Sequence, residues 1–367
     1  MSIRNLLKIL LLICVVEVHA EGNMKVTDNL QGDSLRRNEI SVIRETIRGF
    51  DKTQDDYIEP NHFEFSVMLQ ATRTFENFVL RSNGQSIELA PDRLTKVGPY
   101  FGWRWLFFGY TFDIKNLGFN STNARKEFDL SIYSSQVGVD LYYRRSGSDY
   151  KIRSVKLDYD ISGDMFEGMP FAGVQVGITG VSAYYIFNHE HFSYPAAFSQ
   201  STCQKISCGS WLAGAGYTKN TLDLDYTELQ EALNSRIPSG MEVKLDSSMM
   251  FNSIKYSDFM LSAGYAYNWV FAKNWLFCSS GQLAVAYKTS YGRTANEKKG
   301  FDIKKVNPDV IGRFALVYNN TRWYMGVSAI LRTNNYRTSR FTANNVFGSL
   351  NAYIGYNFLL KKKYRKE

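Results

Sequence analysis

From His62 onward, apolar and polar residues alternate along the chain. Between 257 and 271, Phe259, Leu261, Ala263, Tyr265, Tyr267, Trp269 and Phe271 fall on one face. Asp258, Ser262, Gly264, Ala266 and Asn268 fall on the other. After Ala272-Lys273-Asn274, Trp275, Phe277, Leu283, Val285 and Tyr287 oppose Cys278, Ser280, Gln282 and Lys288. A paired run surrounds Asn319-Asn320-Thr321, and a last run sets Leu350, Ala352, Ile354, Tyr356 and Phe358 against Ser349, Asn351, Gly355 and Asn357. A period of two is the signature of a β-strand with two unlike faces. The pattern predicts twelve strands (range ten to fourteen), near 62–82, 85–103, 105–115, 127–145, 149–160, 172–188, 206–218, 255–271, 275–290, 308–319, 322–333 and 347–359. Ser82-Asn83-Gly84-Gln85 is a hairpin turn. The parity flip between Trp103 and Leu106 marks another tight turn, and Pro91 and Pro99 weaken the register of the second strand. Only Asn38–Phe50 breaks the rule, with Ile40, Ile43, Ile47 and Phe50 at helical spacing.

Alternation of this kind suits a soluble sandwich or a membrane barrel. Strands of 11 to 18 residues exceed the usual sandwich length of about 5 to 6. Short turns alternate with long loops. Aromatic residues collect at the short turns: Trp269, Phe271 and Trp275 at one, Tyr318 and Trp323 at another, Trp103 and Trp105 at a third. Tyr142 and Tyr143, before Arg144-Arg145-Ser146-Gly147, are read as part of the same rim. Amphipathic rings favour the lipid–water boundary. The expectation is an all-β, antiparallel, up-and-down transmembrane barrel over 61–360.

The first twenty residues, with Arg4 and Lys8, the apolar run Ile9–Val16 and Val18-His19-Ala20, read as a secretory signal peptide. Residues 21–60 then form a periplasmic lead-in, and 361–367 a basic tail. No other segment has eighteen consecutive apolar residues, so no spanning helix is expected. The location expected is the outer membrane of a Gram-negative cell. The net charge is +8. The signal carries Arg4 and Lys8 against Glu17, so +7 remains, of which the last seven residues hold +4. The body is close to neutral, which argues against nucleic acid as a partner. Cys203 and Cys208 are five residues apart in an exported segment and are read as a disulfide, leaving Cys278 as a free lumen-facing thiol.

Three stretches carry a resemblance: Asp55–Gln70 (DDYIEPNHFEFSVMLQ), Gly98–Trp105 (GPYFGWRW) and Tyr353–Phe358 (YIGYNF). They resemble an uncharacterised domain-of-unknown-function family of predicted outer-membrane β-barrels, over essentially the whole mature chain. The motifs are structural, so the resemblance implies fold and location and adds no activity. Many such barrels end on an aromatic residue, whereas here nine residues follow Phe358.

Candidate chemistry is sparse. His191 and Ser193 would share a strand face, as base and nucleophile should. His189 and His191 could hold a metal, but two ligands are too few. Asp51–His62 imitates a calcium loop while lacking its Gly and Glu. The longest loop, 219–254, is acidic, and Asp225 with Glu228 begins a helical pattern through Leu229, Leu233 and Ile237. By parity Lys288, Arg313, Arg322 and Arg332 face the lumen, with Asp129, Asp140, Asp158 and Asp258. A pore constriction is therefore expected between Asp223, Asp225, Glu228 and Glu231 of the loop and Arg313, Arg322 and Arg332 of the wall. The leading functional expectation is a passive channel for small solutes. The alternatives are a structural or surface-interaction barrel with a filled lumen and, more weakly, a barrel-embedded lipid hydrolase. No enzyme activity and no cofactor are expected. The partners expected are outer-membrane lipids, the barrel-assembly machinery and small solutes.

Overall fold

A computed structural model describes residues 53–103, 106–109, 112–113, 126–146, 149–157, 163–238, 243–249, 251–294, 303–337 and 341–365. The signal peptide, the Asn38–Phe50 helix and Asp158 lie outside these residues. The strands are β1 (Ile58–Pro60), β2 (Phe63–Ser82), β3 (Gln85–Pro91), β4 (Leu94–Trp103), β5 (Leu106–Gly109), β6 (Phe112–Asp113), β7 (Lys126–Tyr133), β8 (Val137–Arg145) and β9 (Tyr150–Lys156). They continue with β10 (Val174–Ile186), β11 (Thr202–Gln204), β12 (Cys208–Leu224), β13 (Phe251–Ala272), β14 (Trp275–Thr294), β15 (Ile303–Asn319), β16 (Trp323–Arg337) and β17 (Thr342–Leu360). Two short helices, α1 (Tyr194–Phe198) and α2 (Tyr226–Asn234), sit in the connections.

Twelve strands form one antiparallel wall in the order β5-β4-β2-β17-β16-β15-β14-β13-β12-β10-β8-β7, with β6 continuing β5 along β4. The chain is an up-and-down barrel, and its first and last wall strands, β2 and β17, pair from Phe63↔Leu360 to Arg81↔Thr342. The count of twelve agrees with the sequence pattern, but three of its members differ. The stretch 127–145 is a hairpin, β7 and β8, turning at Ser134–Gln136. Its apolar parity flips from even (Leu130, Ile132) to odd (Val139, Leu141), the same signal that correctly marked the β4–β5 turn. The stretch near 149–160 is β9, which pairs with β3 beyond the wall. Pro91 ends β3, so the upper half of β2 pairs with β3 and the lower half with β4. The β2–β3 turn uses Asn83 (φ 43°) and Gly84 (φ 84°), both left-handed, as a two-residue hairpin requires.

The outward face is apolar. Val67, Leu69, Phe259, Leu261, Leu283 (70% exposed), Val285, Phe314, Val327 and Ile354 all point away from the lumen. Phe277 to Tyr287 on β14 spans ten residue steps, about 25 Å along the normal at ~3.3 Å per residue and ~40° tilt, the height of a membrane barrel's apolar band. Arg73 is one charge that interrupts the band, between Leu69 and Phe75. At the short-turn rim the rings form a chain. Trp269 meets Phe271 at 5.5 Å, Phe271 meets Trp275 at 6.1 Å and Trp275 meets Tyr318 at 5.3 Å. Trp323 meets Tyr356 at 4.7 Å farther round. Tyr142 does not belong to this belt. It is buried in the lumen, and the turn after β8 lies at the opposite, long-loop end.

Candidate functional site: the filled lumen

Inward side chains occlude the barrel at three levels. At mid-height, β8 is cross-braced to the far wall. Asp140 takes the guanidinium of Arg313 on β15 and, at 3.0 Å, that of Arg332 on β16, while Ser131 donates to its other oxygen at 2.6 Å. The side chains of Arg313 and Asp140 are 0% and 1% exposed. Arg313 also lies over the Tyr184 ring at 4.7 Å and Arg332 over Tyr142 at 4.9 Å. In a water-poor site such pairing is what makes buried charge tolerable. A second cluster holds Lys288 between Asp258 (3.3 Å) and Asp309 (3.4 Å). Asn334 accepts from Lys288 and donates to Asn220, which in turn donates to Asp258. A third runs from β8 to the other side: Arg144 reaches Asp129 at 3.1 Å and donates to the Phe75 and Gly348 carbonyls.

At the long-loop end an apolar core closes the lumen. Phe78, Leu80, Ile87 and Leu89 of the β2–β3 hairpin pack with Ile152 and Val155 of β9 and with Tyr226, Leu229 and Leu233 of α2. Asp225 caps α2 by accepting from the Glu228 N–H at 2.9 Å. The loop is latched to the β2–β3 turn. Gln85 donates to the Lys244 carbonyl at 3.2 Å, the Asp246 N–H donates back to Gln85 at 2.9 Å, and Asn83 donates to the Asp246 carboxylate at 2.7 Å. Burial raises the Asp246 carboxyl, but hydrogen bonds from Ser248, Asn83 and Ser82 outweigh it and hold the group below its usual range.

At the short-turn end the β10–β12 connection folds back into the mouth. Ser193 caps α1 by accepting from the Ala196 N–H at 3.2 Å, and Pro195 occupies its first turn. Asn268 of β13 donates to the Ser193 carbonyl at 2.8 Å, Tyr194 shares a hydrogen bond with Ser280 of β14, and Gln200 donates to Tyr353 of β17 at 2.6 Å. Tyr133, Tyr184 and Phe198 stack around Tyr194 at 6.0, 5.6 and 5.4 Å. The segment before the barrel clamps this plug from outside: β1 pairs with β11, and the Lys205 N–H donates to the Tyr57 carbonyl at 2.8 Å. Between plug and mid-height brace, on the β2, β4, β7, β16 and β17 side, lies a cavity of about 390 Å³ lined by Gln70, Thr72, Lys96, Glu127, Ser349 and Asn351 and floored by Phe198–Gln200.

The constriction expected from the sequence is not assembled. Arg313 and Arg332 do face the lumen, but both are committed to Asp140. Arg322 is exposed at the short turn, bonded to the Tyr356 hydroxyl at 3.1 Å. Asp225, Glu228 and Glu231 lie on the exposed side of the loop, whose inner side is Tyr226, Leu229 and Leu233, and Asp223 points away from the core that takes Leu222 and Leu224. An amphipathic helix buries its apolar stripe, which turns the acids outward. Cys203 and Cys208 stand as separate thiols. Cys203 points to the Asn319 carbonyl at 3.8 Å, and Cys208 accepts from Asn188 at 3.1 Å. Burial, with the nearby Glu59 carboxylate, pushes the Cys203 thiol up to about 12. Cys278 is buried on the lumen side. His191 bonds Asn188 at 3.0 Å, and the Ser193 hydroxyl meets Thr202 at 2.7 Å, so the two do not form a dyad. No metal-ligating cluster of three or more groups occurs among the described residues. The cross-brace and plug were not foreseen. Their signal was available in the lumen-side charges Asp140 and Arg313, which a dry interior must pair.

The family model described as a domain of unknown function (DUF4421) matches residues 51–358. No curated protein matches the chain. Among solved structures it is similar to the outer membrane protease OmpT from Escherichia coli, at 6% identity and TM-score 0.37 over 82% of this chain and 98% of that one. It is similar to the translocator domain of autotransporter NalP from Neisseria meningitidis, at 9% identity and TM-score 0.33 over 88% and 96%. It is also similar to OprG from Pseudomonas aeruginosa, at 9% identity and TM-score 0.23 over 82% and 98%. At these scores none of them carries a role over.

Proposed function

The chain belongs to the DUF4421 family, and we propose that it works as a closed outer-membrane barrel with a filled lumen, serving a structural or surface-presenting role rather than passive solute flow. The observation that carries this reading is the mid-height brace. Arg313, Asp140 and Arg332 join walls on opposite sides of the barrel with almost no exposure. An open pore would leave these charges in water, where side-chain entropy and screening remove most of the reason to hold them in one geometry. The apolar band, the rim of Trp and Tyr and the alternation of short turns with long loops support the membrane location, with the short turns facing the periplasm. The plug and the loop cap place two further barriers in series with the brace.

The test is planar-bilayer recording of the refolded full chain. The expected outcome is insertion, seen as heat-modifiable gel migration, without resolvable conductance steps. Steady single-channel steps from the unmodified chain would reject the filled-barrel reading in favour of a channel. A second reading, a gated conduit, is favoured by one observation, the cavity of about 390 Å³ that rests on the plug. It requires both the plug and the apolar cap to move.

A further inference from the structure

Outside the lumen, one register row stands apart. Lys156 on β9 pairs with Ser86 on β3, Ser86 with Arg81 on β2, Arg81 with Thr342 on β17, and Thr342 with Arg337 on β16. Residues directly opposite one another across strands point to the same face. All five therefore face outward, and the three cations are exposed. They alternate with two hydroxyl residues along the row. All five line one surface hollow of about 410 Å³ beside the Asn83-Gly84 turn. Cations two strands apart are about 10 Å from each other at ~4.8 Å per strand.

Among the described residues, the neighbouring acids are engaged elsewhere. Glu88, the nearest carboxylate on the outer face of β3, takes a hydrogen bond from Asn77 at 2.8 Å. Asp92 is held by Lys151 at 2.7 Å and Arg153 at 3.5 Å, and Asp246 by Asn83. Arg81, Lys156 and Arg337 make no ion pair among the described residues. Exposed unpaired cations are common singly. Three in one register row, on the outside of a membrane barrel, form an anion-binding edge.

The height identifies the anion. Arg81 is fourteen steps along β2 from Val67, and Arg337 fourteen along β16 from Trp323, which is in the short-turn aromatic rim. Fourteen steps are about 35 Å along the normal, some 10 Å past an apolar band of ~25 Å. That is the depth of outer-leaflet head groups. We propose that this row binds the head group of an outer-leaflet lipid bearing two phosphates, one phosphate between Lys156 and Arg81 and the other between Arg81 and Arg337, with the Ser86 and Thr342 hydroxyls donating to them. Arginine and lysine at such a surface suit phosphate recognition.

This rests on the membrane reading above, and the experiment separates the two. The full chain is placed in nanodiscs of zwitterionic lipid doped with a bisphosphorylated disaccharide lipid, and retained lipid is counted by native mass spectrometry. Each single variant, Arg81→Gln, Lys156→Gln or Arg337→Gln, is expected to lower retention about fivefold, and the triple variant about a hundredfold. A control triple at the other rim, Arg322→Gln, Lys362→Gln and Lys363→Gln, is expected to leave retention unchanged. The dephosphorylated lipid is expected to be lost, and millimolar inorganic phosphate is expected not to displace the bound lipid. Failure of the parent chain to enter nanodiscs would reject the membrane reading itself. Entry with equal retention by parent and row variants, or with displacement by inorganic phosphate, would overturn the lipid site.

Discussion

A Cβ at Gly138 would meet the Tyr184 ring at 2.1 Å, and one at Gly180 would meet the Tyr142 ring at 2.3 Å. These two glycines sit opposite the two tyrosines on β8 and β10, so each ring lies flat across its neighbour's bare backbone. The rings then offer their faces to Arg313 and Arg332. The charge they help to hold is the sensitive point of the molecule. Asp140→Asn leaves two buried guanidinium groups without their counter-charge and is expected to cost about 3–5 kcal/mol. The double variant Asp140→Leu with Arg313→Met is expected to recover part of that loss. Urea titration of refolded barrels in lipid vesicles measures both, and an unchanged midpoint for Asp140→Asn would deny the brace its role. On the outer face, Leu283→Arg is expected to cost about 2–4 kcal/mol in the same assay, while Leu283→Ser is expected to cost less. Thiol chemistry is also ordered by position. With its thiol raised to about 12, Cys203 is protonated at pH 8 and is expected to alkylate more slowly than Cys208. The opposite order would mean that the plug is not seated.

Among the elements, the two closures depend on small hydrogen-bond sets and are therefore open to test. The loop over 243–249 is held by Asp246, whose carboxyl lies below its ordinary value of 3.8 because Ser248, Asn83 and Ser82 donate to it. A lowered folded value means that the docking contribution is complete above pH 3.8 and is lost as pH falls below it through the folded value. Hydrogen exchange of the loop is therefore expected to be slow at pH 7 and to lose protection below about pH 4 relative to the wall, with Asp246→Asn flattening the dependence. A loop equally protected across that range would show that its apolar residues alone suffice. The elements also show how far the pattern could be read. Alternation identified β2, β12 to β17 and the short turns between them, because each such strand has one face in lipid and one in the lumen. It failed at β7–β8 and β9. There the hairpin turn is only three polar residues between apolar runs, with no Gly or Pro to mark it, and β9 lies outside the wall, under the cap, where no lipid-facing alternation is demanded.

For the whole molecule, the plug, brace and cap act in series, so removing one is expected to change access without opening a path. Asn351→Cys, in the cavity floored by Phe198–Gln200, is expected to react with a small maleimide from the short-turn side only when the segment between Ser193 and Gln204 is deleted, and even then no conductance is expected. Conductance on plug deletion alone would make the gated-conduit reading the better one. The amino-acid pattern by itself determined the barrel, its outward face and the aromatic rim. Those follow from local rules: every backbone group must be paired in lipid, and alternate side chains must suit lipid and lumen. What filled the lumen was decided only in three dimensions. Asp140 meets Arg313 across a separation of 173 residues, and Gln200 meets Tyr353 across 153. No period in the sequence encodes such pairs. Parity shows that a charge points inward, and only the curled wall shows which partner stands opposite it.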